Sequence, residues 1–147
     1  MTQEIIFDIF KDGVPVAEGV EKTIEQIARA NFSKWNAALQ TGDSQQVAGL
    51  YANDATFLPT LSEEFKRGYN GIEAYFTHFL QKKPVCEIIE EEIQPLGSNS
   101  YLHSGLYNFS IGPNDNRQMV EARFSFVWKQ NDQDEWKIIH HHSSVKP

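Results

Sequence analysis

Residues 121–147 read EARFSFVWKQNDQDEWKIIHHHSSVKP, and this stretch decides the fold. Bulky apolar residues stand on both sides of the polar segment 131–134, the pattern of two β-strands joined by a turn. The first predicted strand carries Arg123, and the second carries three consecutive histidines. We therefore expect any assembly or chemistry of this protein to involve the hairpin.

The composition fits one soluble domain. A chain of 147 residues with ten Phe, five Tyr and three Trp can bury a substantial, aromatic core. The formal net charge is −7 and the longest basic run is Lys82-Lys83, so we expect neither nucleic acid nor membrane as a partner, since both select a basic face. One cysteine, no signal-peptide pattern and no stretch of transmembrane length favour the cytoplasm.

The first part of the chain predicts two helices and a strand. Residues 1–20 hold a candidate short strand and are interpreted as an N-terminal extension, which leaves 21–147 as the folded domain. Thr23 and Gln26 have the capping-box spacing that starts a helix, and Gly42 ends that helix. Asp43 starts a second helix that is predicted to reach Tyr51, and a turn at 53–54 precedes a strand over 55–59.

The remainder predicts one helix and four strands. Asn70 is expected to cap a third helix with Glu73 at the capping-box position, and Pro84 ends it. Four long β-type segments follow, at 85–96, 99–111, 117–130 and 135–143. Helices at one end of a curved antiparallel sheet make a cone-shaped α+β fold. The interior of such a cone is the expected site for a small ligand.

Several segments resemble the NTF2-like (cystatin-like) superfamily, and the resemblance covers most of residues 22–144. They are 50–57 (LYANDATF), Gly71-Ile72 and the closing WKII of 136–139. Within the superfamily, ARFSFVW at 122–128 followed by WKIIHHHSS at 136–144 is similar to a narrower group. That group comprises bacterial proteins like the association domain of calcium/calmodulin-dependent protein kinase II, with SgcJ/EcaC-like and SnoaL-like relatives.

The resemblance implies a fold that dimerises through its sheet, and it does not imply kinase activity. The chain lacks the Gly-rich loop, the His-Arg-Asp segment and the Asp-Phe-Gly segment of protein kinases. Kinase association domains line their pocket with arginines that bind acidic ligands. The resemblance places Phe126 and Ser143 at two of those arginine positions, and Tyr107 at the third.

Strand alternation separates the three histidines. His141 shares a face with Ile139 and Ser143, and the resemblance to the association domains implies that this face lines the cone. His140 and His142 then lie on the opposite face with Trp136 and Ile138, where they are expected to be structural residues at an interface. A metal site would need a third ligand besides these two, so neither a metal nor a cofactor is expected.

Other candidates have a structural and a functional interpretation each. Arg123 forms an ion pair with one of the glutamates 90–92 or anchors a ligand carboxylate. Asp54 bonds its own backbone in a turn or, like the carboxylate of cone-fold isomerases, moves a proton. Tyr101 and Tyr107 share a strand face with His103 and are pocket candidates.

Two functional hypotheses follow. The first is a self-associating, non-catalytic domain that forms a homodimer or larger oligomer, whose cone holds a small molecule. The second is a cofactor-free isomerase, cyclase or dehydratase, with Asp54, His141 and Tyr107 as catalytic candidates. The predicted ligand-binding residues are Tyr51, Tyr101, His103, Tyr107, Arg123, His141 and Ser143.

Overall fold

The computed structural model describes residues 22–147, so the extension and the candidate strand assigned to residues 1–20 lie outside the described residues. The described chain contains three α-helices, a 3₁₀ turn over Leu80–Lys82 and six β-strands. Their bounds are α1 Ile24–Gln40, α2 Ser44–Ala48, β1 Tyr51–Leu58, β2 Lys66–Arg67, α3 Gly68–Phe79, β3 Val85–Gly97, β4 Ser100–Ile111, β5 Gln118–Gln130 and β6 Trp136–Val145.

The helix starts of the first two helices are confirmed. The Thr23 side chain accepts from the Gln26 backbone N–H, and the Gln26 side chain accepts from the Thr23 N–H, which satisfies two free donors of α1. Gly42 follows α1 with a φ of 73°, a conformation that glycine adopts at no steric cost. The Asp43 side chain then accepts from the backbone N–H of Gln45 at the start of α2.

Three boundary predictions are wrong. Helix α2 ends at Ala48, and Tyr51 is the first residue of β1. Asp54 lies inside β1 instead of in a turn. Helix α3 starts at Gly68 without a side-chain cap, so Asn70 does not cap it. Glu73 instead accepts hydrogen bonds from Ser44 and Thr77, because packing of α3 on α2 offers it nearer donors than its own backbone.

The six strands form one mixed sheet in the order β2-β1-β6-β5-β4-β3. Strands β3 to β6 pair antiparallel in sequence order, as predicted. The prediction of a wholly antiparallel sheet is wrong at one place, because β1 pairs parallel to β6. Alternation along β1 shows that it is a strand, but it carries no information on the direction of its partner.

Two bulges decide which side chains face the core. On β6, Val127 pairs with His140 and Trp128 pairs with Ile138, which leaves Ile139 as the extra residue. Trp136 and Ile138 therefore share the inner face with His141, and the prediction that they share a face with His140 is wrong. On β3, a second bulge lies between Ile88 and Glu90.

The inner face of the sheet packs against the helices. In one row across five strands stand Ile93, His103, Phe126, His141 and Phe57. Trp35 of α1 is parallel to Tyr107 of β4, with ring centroids 6.4 Å apart. The opposite face, here called the outer face, carries half-exposed and exposed residues. None of the helices in residues 22–147 is long and apolar enough to span a membrane.

Gly105 provides a test of this sheet geometry. A Cβ atom at Gly105 would stand 1.9 Å from the carbonyl oxygen of Glu90 on β3, so Gly105→Ala forces two paired strands apart. We expect the free energy of unfolding to fall by about 3 kcal/mol, the upper end of ordinary overpacking costs. Gly97→Ala is the control in urea unfolding, because its Cβ would meet only Ser100 Oγ at 3.6 Å. Equal stability of the two variants would contradict this register.

Candidate functional site

A cavity of about 200 Å³ lies between α3 and the inner face of the sheet. Fully buried aromatic rings from α1, α3 and the strands form its inner end, and exposed residues of the 60–61 loop and α3 surround its mouth. The lining residues are Trp35, Phe57, Thr60, Leu61, Tyr75, Phe76, His78, Phe79, Lys82, Tyr107, Phe109, Ile111, Val120, His141 and Ser143.

A chain of hydrogen bonds crosses the inner end of this cavity. Trp35 Nε1 donates to the Tyr51 hydroxyl at 3.2 Å, and that hydroxyl lies 2.9 Å from His141 Nδ1. His141 Nε2 lies 3.2 Å from the Tyr107 hydroxyl. The chain continues beyond Tyr107 to Ser143, at 2.6 Å, and then to Thr60.

His141 is the central residue of the chain. Its ring stacks between Phe126, with centroids 4.0 Å apart, and Phe57, with centroids 4.5 Å apart. Burial lowers the pKa of His141 well below its ordinary value, and the neighbouring His140 and His142 lower it further. The imidazole is therefore neutral at neutral pH, with one nitrogen donating and the other accepting.

Tyr51 and Tyr107, the two tyrosines of the hydrogen-bond chain, are very weak acids. Burial raises the pKa of Tyr51 well above its ordinary value, against a smaller opposite effect of the hydrogen bond from Trp35. Burial also raises the pKa of Tyr107, and the hydrogen bond with Ser143 only partly opposes it. Both phenols stay protonated, so they serve as hydrogen-bond donors and not as bases.

Tyr101 and His103 lie on the inner face, as predicted, but α1 covers them and they do not line the cavity. The Tyr101 hydroxyl accepts from the Asn31 side chain at 2.9 Å. His103 Nε2 lies 2.7 Å from Glu91 Oε1, and the other carboxylate oxygen accepts from Arg29 at 3.0 Å. These bonds fasten α1 to β3 and β4.

The charges of this second cluster are set by its surroundings. Burial lowers the pKa of His103, although the hydrogen bond with Glu91 acts in the opposite direction. Burial by itself would raise the pKa of Glu91, but the hydrogen bonds from Arg29 and His103 outweigh it, and the net direction is downward. Arg29 therefore supplies the positive charge that faces the Glu91 carboxylate.

Arg123 and Asp54 are exposed side chains away from the cavity. Arg123 lies on the outer face and donates to Ser144 Oγ at 3.3 Å. Within residues 22–147 no ion pair joins it to Glu90, Glu91 or Glu92, so the predicted ion pair is wrong. The odd-numbered positions of β5 point outward, which also prevents Arg123 from anchoring a ligand in the cone.

His140 and His142 lie on the outer face, as predicted. His140 Nδ1 is 2.7 Å from Thr56 Oγ1 of the neighbouring strand, which is a structural contact. His103 stands on the inner face and cannot join them. Within residues 22–147, no group of three or more His, Cys, Asp or Glu side chains is placed to hold a metal ion.

Two residues of the hydrogen-bond chain escaped sequence reasoning. Trp35 is not among the predicted site residues. A buried indole N–H needs an acceptor, and that need is the signal that could have pointed to the site. Thr60 follows the predicted strand over 55–59, and no sequence pattern indicates that this segment folds over the cavity.

The family model for the calcium/calmodulin dependent protein kinase II association domain matches residues 24–147. The chain belongs to this family. A Xanthomonas campestris structure provisionally assigned as such a domain is 38% identical, with a TM-score of 0.82 over 86% of this chain and 90% of the other. No curated protein matches the chain.

More distant structures share the fold alone. A Salmonella enterica protein of the nuclear transport factor 2 (NTF2-like) superfamily is 18% identical, with a TM-score of 0.71 over 84% of this chain and 92% of the other. A Parabacteroides distasonis structure provisionally assigned as a ketosteroid isomerase is 19% identical, with a TM-score of 0.64 over 86% of this chain and 89% of the other. These likenesses confirm the predicted fold, and the family match confirms the predicted relationship to the association domains.

The hydrogen-bond chain predicts a stability loss on removal of one hydroxyl. Tyr107→Phe leaves His141 Nε2 without its partner in a buried site, which costs about 1–3 kcal/mol of unfolding free energy. Tyr75→Phe is the matched control, because within residues 22–147 the Tyr75 hydroxyl makes no hydrogen bond, and its change should stay within about 0.5 kcal/mol. Urea unfolding measures both. If the Tyr107→Phe protein is as stable as the Tyr75→Phe control, the Tyr107 hydroxyl does not make the buried hydrogen bonds described here.

The buried histidines predict a loss of stability in mild acid. The pKa of His141, His103 and His140 is lowered in the folded protein, mainly by burial, whereas the unfolded chain binds these protons near pH 6.5. Above pH 6.5 these histidines are mostly neutral in both the folded and the unfolded state. Just below pH 6.5 they become protonated only in the unfolded state, so the free energy of unfolding falls as the pH falls.

Between pH 6.5 and 5.5 we expect His141 to contribute a decrease of up to about 1.4 kcal/mol per pH unit. His103 contributes less because Glu91 partly offsets the effect of burial on its pKa, and His140 contributes less because it is only half-buried. Urea midpoints at pH 7.5, 6.5 and 5.5 measure the decrease. His140→Gln is the control and should retain most of it. Identical midpoints at all three values would show that His141 is not held neutral.

Proposed function

We propose that this protein is a self-associating, non-catalytic domain whose outer sheet face binds a second copy of the chain. The observation that supports this is a row of half-exposed residues across the middle of that face. It runs through Leu102 of β4, Val127 of β5 and His140 of β6 to Thr56 of β1. Leu106 adds a further half-exposed apolar side chain nearby.

The form of association follows from the sheet itself. In its middle, β4, β5 and β6 each have a paired strand on both sides, so a partner that contacts the outer row must approach the face of the sheet. Only Val127 contributes an apolar side chain of 124–128 to this face, since Phe124, Phe126 and Trp128 are buried inside. The self-association implied by the family name thus depends on the outer row, because one face of β5 is occupied by the core.

The cavity is proposed to hold a small molecule. Its walls are mostly aromatic rings, and the polar groups of His141, Tyr107, Ser143 and Thr60 are connected by hydrogen bonds; apolar walls with a few ordered polar groups are usual for a ligand site. Of the predicted ligand residues, Tyr107, His141 and Ser143 line it, and Tyr51 stands one hydrogen bond behind His141. Homodimerisation and ligand binding use opposite faces of the same sheet, so both can occur at once.

The placement of the titratable groups argues against the enzymatic hypothesis. Among residues 22–147, no carboxylate lines the cavity, and Asp54 is exposed on β1. Both nitrogens of His141 are engaged by tyrosine hydroxyls, so the ring has no free lone pair for a substrate proton.

A reducing compartment such as the cytoplasm suits the buried free thiol of Cys86.

A charge on the outer face tests self-association. Val127→Glu would bury a carboxylate in the proposed interface, at a cost that shifts the dimer toward monomer. Ala37→Glu introduces the same charge on the exposed side of α1 and should leave the assembly unchanged. Sedimentation velocity at micromolar concentration compares both with the unmodified chain. A monomeric unmodified chain at that concentration would refute the proposed self-association.

A further inference from the structure

The hydrogen-bond chain of the cavity has a fixed direction. The indole N–H of Trp35 can only donate, so the Tyr51 hydroxyl accepts from it. The single proton of Tyr51 then points to His141 Nδ1, 2.9 Å away. In a neutral imidazole whose Nδ1 accepts, the proton is on Nε2. His141 therefore donates to Tyr107.

The same direction continues to the mouth of the cavity. Tyr107 donates its proton to Ser143 Oγ, and Ser143 is left with one proton to give to Thr60 Oγ1. Each hydroxyl accepts a hydrogen bond from the preceding group and donates its single proton to the next, so the donor direction is kept along the series. The Thr60 proton is the last, and within residues 22–147 it has no acceptor. Thr60 is half-buried and lines the cavity.

We propose that the cavity selects a neutral, single-ring molecule whose carbonyl oxygen accepts the Thr60 hydrogen bond. This inference rests on the proposed ligand-binding role of the cavity and specifies its chemistry. The hydrogen-bond chain begins at the Trp35 indole, which can only donate, and its last hydroxyl, that of Thr60, is therefore also a donor. A ligand that binds Thr60 must supply a hydrogen-bond acceptor. The aromatic walls contact the ring, and the Thr60 hydroxyl orients the carbonyl.

The size of the cavity limits the ligand. An apolar cavity of about 150 Å³ takes up benzene, so the cavity of about 200 Å³ found here fits one ring with a short substituent. A larger fused-ring ligand would require the helices to separate.

The charges around the cavity favour a neutral ligand. Lys82 and His78 line only the exposed rim, where water screens them. At the inner end the polar side chains are Tyr51, Tyr107, His141 and Ser143, and none of them carries a charge. A carboxylate held at the half-buried Thr60 hydroxyl would lose part of its hydration, and none of the polar side chains behind Thr60 offers it a positive charge, which makes its binding costly.

Three probes of similar shape test the selection: acetophenone, ethylbenzene and benzoate. Isothermal titration measures their binding to the unmodified chain, to Thr60→Val and to Thr60→Ser. Thr60→Val removes the hydroxyl with little change in shape, and Thr60→Ser retains it. The affinity of each ligand is compared between the protein variants, so the hydration free energy of the free ligand cancels. For acetophenone labelled at the carbonyl carbon, the ¹³C shift upon binding reports the hydrogen bond directly.

We expect Thr60→Val to weaken acetophenone binding about tenfold, the equivalent of one hydrogen bond near the upper end of its range. Ethylbenzene binding should change less than twofold, and Thr60→Ser should behave as the unmodified chain. The bound carbonyl resonance should lie further downfield in the unmodified chain and in Thr60→Ser than in Thr60→Val. Benzoate should bind at least tenfold more weakly than acetophenone.

The outcomes separate this inference from the proposed function. Binding of ethylbenzene together with an unaltered acetophenone affinity in Thr60→Val would confirm a ligand cavity and overturn the role of Thr60. Benzoate binding more tightly than acetophenone would overturn the selection of neutral ligands. Failure of all three probes to bind the unmodified chain would overturn the ligand-binding role itself.

Discussion

A neutral histidine buried between two aromatic rings is the constraint on which this structure depends. His141 stands at the middle of the sheet, and both of its nitrogens need partners because water does not reach them. Tyr51 from β1 and Tyr107 from β4 provide these partners. Three strands and, through Trp35, helix α1 are thus connected at one imidazole. The polar end of the cavity is a consequence of this requirement.

The bulge on β6 makes this arrangement compatible with a continuous core. Without an extra residue at Ile139, strict alternation would place Trp136 and Ile138 on the opposite face from His141. The bulge allows all three to face inward, where Trp136 packs against Tyr101 with centroids 5.3 Å apart. One inserted residue therefore lets the end of the strand fill the core beneath α1 while its middle carries the polar groups of the cavity.

Much of the fold could be predicted from the sequence, because local physics decides it. The capping residues Thr23 and Asp43 and the four long strands were identified within a few residues. Alternation along the sequence of β5 also places Phe124 and Phe126 on the face opposite Arg123, where the structure has them. What failed depended on partners distant in the sequence. Three features were mispredicted for this reason. They are the parallel pairing of β1 with β6, the start of α3, which Asn70 does not cap, and the bulge at Ile139.

The candidate site was predicted in part for the same reason. Alternation groups His141 with Ser143 on β6 and Tyr107 with Tyr101 and His103 on β4, and the resemblance to the association domains implied that the His141 face lines the cone. Tyr101 and His103 satisfy the same alternation as Tyr107, but whether α1 covers a position is a property of helix packing that the strand does not encode. Thr60 depends on the path of a loop, and its role follows only from the hydroxyl geometry.

The alternation of β5 also separates two properties that natural selection acts upon. Its even-numbered residues 122 to 128 belong to the core, whereas Arg123, Ser125 and Val127 belong to the outer face. Mutations at odd positions can therefore alter the outer face of the sheet while the interior remains as it was. The exception is Ile139, where insertion or loss of one residue would exchange the two faces of β6 together.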